Sequence, residues 1–272
     1  MKKVLILGAS GLVGRALIEE FKEVYDLYGT YSSTQPKLPS NKQFQLEVSQ
    51  IHEMKEILRC IKPEIVISCL RGEFSQQLKF HKELAEELMN TSSSLYFFST
   101  TNVFDGDFSK PHIESDHPNA ESEYGKFKMD CEIMLKEALK DRAKIIRIPA
   151  IWGKDSPRWK MTLENIKNHK VMDVYRNLMC NNLLDVQLAR QLAFIIENKL
   201  TGIFHLGSVD TMTQSQFYED IFVKLGSDLN LLNSNDYLES DKTYYFAMQS
   251  TRNDIPKTLE TTNKEIISYL LG

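Results

Sequence analysis

The chain has 272 residues, of which 42% are hydrophobic, and this is enough to bury the core of one large α/β domain or of a domain with a smaller lobe. Its formal net charge is −4, from 33 basic and 37 acidic residues that are interspersed along the sequence. Because no basic run or stripe is present, the charge pattern argues against a nucleic acid or an acidic membrane surface as partner.

The first predicted element is a buried strand that leads through a glycine-spaced turn into a helix. Residues 2–7 are a short, largely apolar run, glycine stands at positions 8, 11 and 14, and an amphipathic pattern follows. Such a turn, with the positive end of the helix dipole, holds a phosphate in dinucleotide-binding proteins, whose glycine spacing differs from this one by one residue. The residues predicted to hold the nucleotide here are Gly8, Ser10, Gly11, Leu12, Val13, Gly14 and Arg15.

Strands and helices alternate as far as residue 150. Strands are predicted at 27–31, 44–48, 64–69, 95–100 and 143–148, and helices at 51–61, 74–89 and 123–139. This alternation indicates a parallel sheet with helices on both faces. The predicted fold class is α/β, a Rossmann-type doubly wound parallel sheet with a smaller C-terminal substrate-binding lobe.

The alternation of strands and helices stops after residue 150, and this divides the chain into two predicted domains. Residues 1–150 are predicted to form the nucleotide-binding domain, and residues 151–272 mainly a substrate-binding lobe. A helix near 185–198 and a strand near 203–206 are expected to return to the first domain.

Signals for element ends are sparser in this second half. Asp185 is predicted to be the N-cap of its helix, and Thr213 the N-cap of a helix that ends near Gly226. Residues 153–168 are polar, a strand outside the main sheet is predicted at 171–178, and the tail of the chain is less regular.

Targeting signals and metal-binding patterns are not recognisable in the sequence. The apolar run near the N-terminus is too short for a signal peptide or a membrane span. His112 and His117 bracket an acidic loop that is more typical of a solvated segment than of a metal site, so no metal is predicted. The isolated cysteines fit reduced core residues of a cytoplasmic protein; they are Cys60, Cys69, Cys131 and Cys180.

A second group of candidate functional residues lies on the helix predicted at 123–139. Tyr124 and Lys128 are four residues apart and therefore lie on one helix face. A nearby ammonium favours the phenolate and lowers the pKa of a tyrosine, as proton exchange near neutral pH requires. An ordinary exposed tyrosine–lysine pair remains the alternative interpretation.

Four motifs, in this order and rough spacing, resemble the extended short-chain dehydrogenase/reductases. They are the glycine pattern at 8–14, the strand end FSTTNVFDG at 98–106, Tyr124-x-x-x-Lys128, and RIPxxxG at 147–153. The Ser-Thr-x-x-Val-Phe-Asp-Gly run is most similar to that of dTDP-4-dehydrorhamnose reductases and of the regulatory subunit of methionine adenosyltransferase. The similarity spans most of the chain and fades after about residue 231.

The resemblance implies a role for each matched residue. Tyr124 would donate a proton to a ketone, Lys128 would hold the nicotinamide ribose and lower the tyrosine pKa, and Thr100 would hydrogen-bond the substrate oxygen. Further implied cofactor-binding residues are Glu47 and Cys69. Implied substrate-binding residues are Thr100, Asn102, Trp152 and Arg158, with Lys160, Arg176 and Arg252 as further candidates for binding a diphosphate.

The chain also departs from the family pattern. Gln77 stands at the position of an Asn that completes a catalytic tetrad. Between Cys69 and Gln77 the chain lacks roughly a dozen residues that the family uses for a loop over the cofactor. Altered or lost activity is therefore one expectation.

The expected function is NAD(P)H-dependent reduction of a 4-keto sugar nucleotide. NADP(H) is favoured because residues 30–33 contain no acid to repel a 2′-phosphate, which Arg15 could reach; NAD(H) remains an alternative. An NAD-dependent sugar-nucleotide epimerase and a non-catalytic NADP-binding regulatory protein also stay open. The expected partner is a small-molecule nucleotide sugar, and a homodimer is left open.

Overall fold

The computed structural model describes residues 1–272. The strands are β1 (Lys3–Leu7), β2 (Asp26–Tyr31), β3 (Gln43–Gln45), β4 (Ile65–Ser68), β5 (Ser94–Thr100), β6 (Ala143–Ile148), β7 (Ala150–Trp152), β8 (Met172–Tyr175), β9 (Leu178–Cys180), β10 (Asn182–Leu184), β11 (Ile203–His205), β12 (Met212–Thr213), β13 (Leu232–Asn235) and β14 (Tyr244–Phe246). The helices are α1 (Leu12–Phe21), α2 (Ile51–Ile61), α3 (Phe74–Met89), α4 (Glu123–Leu139), α5 (Pro157–Lys167), α6 (Asp185–Glu197), α7 (Gln214–Leu225) and α8 (Asn263–Leu271).

The centre of the molecule is a seven-stranded sheet in the order β11-β6-β5-β4-β1-β2-β3. Every neighbouring pair in it is parallel. The strand order reverses between β1 and β4, because the chain builds outward from β1 to one edge and then from β4 to the other. This confirms the predicted doubly wound α/β fold, and it places the topological switch point at the carboxyl ends of β1 and β4.

The sheet is buried on both faces by separate groups of apolar side chains. Val4 and Ile6 of β1 pack towards α1 and α6, whereas Leu5 and Leu7 pack towards α2, α3 and α4. Successive side chains of a strand point to opposite faces, so a strand buried on both faces is a continuous apolar run. This explains why the buried strands were recognisable as such runs in the sequence.

A third apolar cluster forms a lobe after residue 150. It packs α5, α7 and α8 around Trp152, Phe217 and Ile266, beside small sheets made from β7–β10 and β12–β14. α6 packs against α1 in the main core, and β11 pairs with β6 at the edge of the central sheet. The boundary near residue 150 stays a prediction.

The helix ends show where local signals were decisive. Thr213 accepts a hydrogen bond from the Gln216 N–H as N-cap of α7, and Gly226 ends that helix with φ +65°, as the sequence predicted. Asp185 is not an N-cap: Leu184 holds that position, and Asp185 is the first residue of α6.

Two helices were missed. α5 follows the N-cap Ser156 and buries only two side chains, so its polar sequence concealed it. α8 follows a capping box in which Thr262 and Glu265 satisfy each other's backbone N–H groups, a signal that the sequence contains.

Two further expectations concern the burial of the cysteines and the presence of a membrane span. All four cysteines are free, and Cys131 is buried, but Cys60 is exposed, so the prediction that they are core residues is wrong for Cys60. None of the helices combines the length and the hydropathy that crossing a bilayer requires.

Candidate functional site

The turn between β1 and α1 contains three glycines with different steric roles. Gly8 has φ +82°, and a Cβ there would lie 2.9 Å from the Cys69 carbonyl oxygen. A Cβ at Gly14 would lie 2.5 Å from the Gly8 oxygen. A Cβ at Gly11 would lie 3.4 Å from that same oxygen, which is within ordinary contact. The fold itself therefore requires Gly8 and Gly14, whereas Gly11 leaves open space for a ligand.

The start of α1 fits an anionic ligand. Gly11 is its N-cap and supplies no side-chain acceptor, and the first turn contains no acidic residue. The first N–H groups of a helix have no partner within the helix and carry the positive end of its dipole. This terminus, which includes Leu12 and Val13, is therefore suited to a pyrophosphate.

The other residues predicted to bind the cofactor surround the same edge of the sheet. Arg15 is exposed and donates from Nη1 to the Ser10 carbonyl oxygen at 2.9 Å. Cys69 follows β4 directly, and burial raises the pKa of its thiol. Glu47 is exposed in the turn after β3, since that strand ends at Gln45 rather than continuing to residue 48 as predicted.

The predicted catalytic residues converge where β5 ends and α4 begins. Thr100 is the last residue of β5, is 8% exposed, and donates to the Asn102 side-chain oxygen at 3.0 Å. Gly125 allows α4 to lie directly against the Asn102 carbonyl, because a Cβ there would clash with it. Ser122 caps this helix by accepting from the Gly125 N–H. The close packing sets Tyr124, in the first turn of α4, beside Thr100.

The environment of Tyr124 holds its phenol in the protonated form. The side chain is 37% exposed, yet partial burial raises its pKa above the ordinary value of 10. The Thr100 hydroxyl and the charge of Arg71 oppose this shift by lowering the pKa. The lowering of this pKa by Lys128 stays a prediction.

Lys128 lies beneath Tyr124 in an aromatic surrounding. It is 6% exposed, and its Nζ donates to the Phe98 carbonyl oxygen at 2.9 Å. The same Nζ is 4.6 Å from the ring centre of Phe97 and 6.0 Å from that of Tyr124. Burial lowers the pKa of Lys128 to about 8. Its ammonium is thus bound to the backbone of β5.

A chain of buried hydrogen bonds holds the short connection between β4 and α3. His81 Nε2 lies 2.7 Å from Ser68 Oγ, and His81 Nδ1 lies 2.7 Å from the Gln77 carbonyl oxygen. The Gln77 amide donates to the Gly72 carbonyl oxygen at 2.7 Å. Gln77, predicted as the stand-in for a catalytic Asn, thus fixes the connection at residues 69–73. Its Oε1 is buried without a partner, as is Ser99 Oγ on β5.

A buried ion pair fixes α4 to the sheet. Glu132 is 2% exposed and accepts from Arg147, which is 1% exposed, at 3.0 Å on Nε and 2.6 Å on Nη2. Arg147 Nη1 also lies 3.2 Å from His205 Nε2. Tyr124 and Lys128 belong to the same helix as Glu132. The ion pair of Glu132 with Arg147 therefore orients them on the sheet. Neither Glu132 nor His81 was singled out in the sequence.

The predicted substrate-binding residues are placed unequally. Asn102 is half-buried beside Thr100 and could face a ligand. Trp152 is 2% exposed in the core of the C-terminal lobe, and its Nε1 donates to Asn182 at 2.8 Å, so its assignment to substrate binding is corrected. Arg158 is exposed, with its guanidinium carbon 5.5 Å from the Trp152 ring centre.

The other basic candidates have acidic partners. Lys160 pairs with Asp155, Arg176 with Asp236 and Arg252 with Asp254. Arg252 also donates to the carbonyl oxygens of residues 201 and 203 along the outer edge of β11. Of the four candidates for a diphosphate, Arg158 alone is free of an ion pair.

Because two histidines are buried, we expect the protein to lose stability in mild acid. Burial lowers the pKa of His81 to about 3, and burial together with Arg147 lowers that of His205. The unfolded chain binds these protons below about pH 6.5, whereas the folded chain resists them. These two histidines therefore leave the free energy of unfolding unchanged above pH 6.5 and lower it as the pH falls from 6.5 towards 3. Each histidine adds a slope of up to about 1.4 kcal/mol per pH unit.

Chemical denaturation at a series of pH values tests this prediction. His81→Gln, which keeps a donor and an acceptor, should have a shallower slope between pH 6.5 and 5 than the parent, and the exposed His52→Gln should leave the slope unchanged. Equal slopes for the parent and the His81 variant would contradict the account of His81.

Comparison with protein families finds one match over more than half of the chain. The model described as RmlD substrate binding domain matches residues 73–248. Among curated proteins, methionine adenosyltransferase 2 subunit beta of Xenopus tropicalis is 30% identical over 166 residues. That alignment covers 56% of this chain and 48% of the frog protein, so this chain spans about half the length of that relative.

Solved structures share the fold over nearly the whole chain. The dTDP-4-dehydrorhamnose reductase of Bacillus anthracis, solved in complex with NADP, has a TM-score of 0.79 and 22% identity, and the match covers 99% of this chain and 98% of that one. The enzyme WbmG of Bordetella bronchiseptica, solved in complex with NAD, has a TM-score of 0.82 and 14% identity, over 99% of this chain and 92% of that one.

Proposed function

This chain belongs to the family of the RmlD substrate binding domain, and we propose that it is an NADPH-dependent reductase of a 4-keto sugar nucleotide. The observation that carries the proposal is the convergence of Thr100 and Tyr124 at the carboxyl end of β5. The glycine turn after β1 lies two strands away in the same sheet. A ketone held between these two places would meet both a proton donor and a bound nucleotide.

The side chains of the site can divide the chemistry among them. Tyr124 gives its proton to the ketone oxygen, and its raised pKa keeps that proton available at neutral pH. Once its hydroxyl turns from Asn102, Thr100 donates a hydrogen bond to the same oxygen and stabilises the charge that develops there. The nicotinamide, when bound, supplies the hydride. Lys128 is placed to hold the ribose if its ammonium turns from Phe98 towards the cleft.

The choice of NADPH rests on the surroundings of Arg15. The strand end at residues 30–33 contains no carboxylate, and the exposed Arg15 lies at the turn where the adenosine ribose would be bound. We expect NADPH to bind more tightly than NADH, and Arg15→Ala to remove most of that difference, about 1–3 kcal/mol for a charge-assisted contact. Calorimetric titration with both dinucleotides measures this. Equal affinities in the parent protein would refute the preference and leave the nucleotide site standing.

The proposed activity is tested by incubating the purified protein with NADPH and a panel of 4-keto sugar nucleotides, and by measuring NADPH affinity in parallel. We expect binding of NADPH and oxidation of it by at least one ketone. Epimerisation of a sugar nucleotide without net oxidation of NADPH would support the epimerase instead. Absence of nucleotide binding would overturn every function considered for this cleft.

A nucleotide-binding regulatory protein without turnover is the second candidate. Three observations favour it: Lys128 is bound to the Phe98 carbonyl, Gln77 is occupied with Gly72, and only five residues, 69–73, join β4 to α3. A short connection covers less of the nicotinamide than a long loop, which costs orientation of the ketone more than it costs nucleotide binding. Tight NADPH binding with no turnover of any ketone would support this candidate.

A further inference from the structure

The connection between β4 and α3 carries a guanidinium without a partner. Arg71 is exposed and takes part in none of the ion pairs of the chain. Its positive charge nevertheless acts on three groups of the cleft: it opposes the rise that burial causes in the pKa of Cys69 and Tyr124, and it adds to the lowering of the pKa of Lys128. The guanidinium therefore lies near the cleft and not only in solvent.

The nearest acidic residue in the sequence is engaged elsewhere. Glu73 caps α3: its carboxylate accepts from the Ser75 N–H at 2.8 Å, from the Ser75 hydroxyl at 2.7 Å and from the Gln76 N–H at 2.8 Å. The Glu73 carboxylate is held at the start of α3 and forms no ion pair with Arg71. The charge of Arg71 thus remains available to a ligand.

The backbone that presents Arg71 is held on both sides. The Cys69 N–H donates to the Leu7 carbonyl oxygen at 2.8 Å on one side. The Gly72 carbonyl accepts from Gln77 on the other, and Gly72 has φ +143°, a conformation that favours glycine. The buried His81 in turn holds the Gln77 turn of α3. The backbone of such a fixed connection loses little conformational freedom when its side chain engages a ligand.

The order of the strands decides what Arg71 would meet. β4 lies between β1, which leads into the glycine turn, and β5, which ends at Thr100. Arg71, three residues after β4, therefore stands between the anion-binding turn and the predicted catalytic residues. We propose that Arg71 binds a phosphate group of the nucleotide that occupies this cleft. The guanidinium matches two phosphate oxygens at once, which an ammonium cannot do.

The proposal rests on the cleft of the proposed function but not on turnover. Two bound molecules could supply the phosphate: the dinucleotide through its pyrophosphate, or the sugar nucleotide through its diphosphate. Arg71→Met removes the charge and keeps much of the volume, Arg71→Lys keeps the charge without the fork, and the exposed Lys82→Met on α3 controls for a general loss of positive charge.

Calorimetric titrations with NADP⁺, and with dTDP in the presence of NADP⁺, separate the two sources. We expect Arg71→Met to weaken one of these affinities by about tenfold or more, Arg71→Lys to weaken it less, and Lys82→Met to leave it unchanged. A loss for NADP⁺ assigns the contact to the pyrophosphate, and a loss for dTDP alone assigns it to the sugar nucleotide. Gln77→Leu, which releases Gly72, should weaken the same affinity.

Unchanged affinities for both nucleotides in Arg71→Met would overturn the proposal, as would a parent protein that binds neither. Failure of this proposal can be distinguished from failure of the proposed function. A protein that binds NADP⁺ through Arg71 but reduces no ketone would uphold this inference and remove the reductase.

Discussion

Replacement of Tyr124 by phenylalanine is expected to reduce ketone turnover by about 100-fold or more, the typical contribution of a positioned general acid. The change removes one hydroxyl and keeps the ring, whose centre lies 5.6 Å from that of Phe74. Because 37% of the Tyr124 side chain is exposed, little core packing depends on the hydroxyl. Affinity for NADPH and the free energy of unfolding should therefore be nearly unchanged.

Tyr269→Phe is a matched control for this variant, since Tyr269 is also 37% exposed but lies on α8 in the C-terminal lobe. It should leave turnover intact. Steady-state rates, NADPH titrations and denaturation curves for the two variants decide the matter. Turnover of the Tyr124 variant at the parent rate would remove Tyr124 as proton donor.

The Gly14→Ala and Gly11→Ala variants are both expected to lose nucleotide affinity, but for different reasons. At Gly14 the added methyl would lie 2.5 Å from the Gly8 oxygen and 2.7 Å from Ala9 backbone atoms, none of which can move aside without distorting the turn. Overpacking against backbone of this kind should destabilise the protein by about 3 kcal/mol or more. Nucleotide binding should be lost with the fold of the turn.

At Gly11 the same methyl meets only ordinary contact, 3.4 Å from the Gly8 oxygen, and φ is −69°. Stability should change by less than about 1 kcal/mol. The methyl would nevertheless occupy the space in which a pyrophosphate approaches the backbone, so nucleotide affinity should fall by about tenfold or more. Denaturation and NADP⁺ titration of the two variants test the contrast. A stable Gly11 variant with parental affinity would place the phosphates elsewhere.

Much of the central sheet was predictable because its strands are buried on both faces. Residues 4–7 and 65–68 are continuous apolar or nearly apolar runs, and their burial requires helices above and below. The amphipathic helices were equally clear, and α2, α3 and α4 begin and end where the periodicity predicts. α5 in the C-terminal lobe was not, since it buries only Trp159 and Thr162 and its pattern is therefore weak.

The site was predictable in position but not in its electrostatics. Spacing alone placed Tyr124 and Lys128 on one helix face, and the resemblance supplied Thr100. Spacing could not reveal that Lys128 bonds the Phe98 carbonyl, because that contact depends on how α4 packs on β5. The same limit applies to Trp152, whose burial depends on the packing of α7 against it. Helical spacing puts Gln77 and His81 one turn apart, but no sequence pattern links His81 to Ser68 on β4.

Hydride transfer from NADPH to a ketone, with Tyr124 as the acid, is the proposed chemistry of this cleft. Its most direct test uses NADPH deuterated at the transferable position of the nicotinamide, incubated with the protein and the 4-keto sugar nucleotides, with the products examined by mass spectrometry. We expect a product alcohol that carries one deuterium on the former carbonyl carbon and that Tyr124→Phe forms more slowly by about 100-fold or more. Binding of NADPH without transfer of deuterium to any ketone would contradict it.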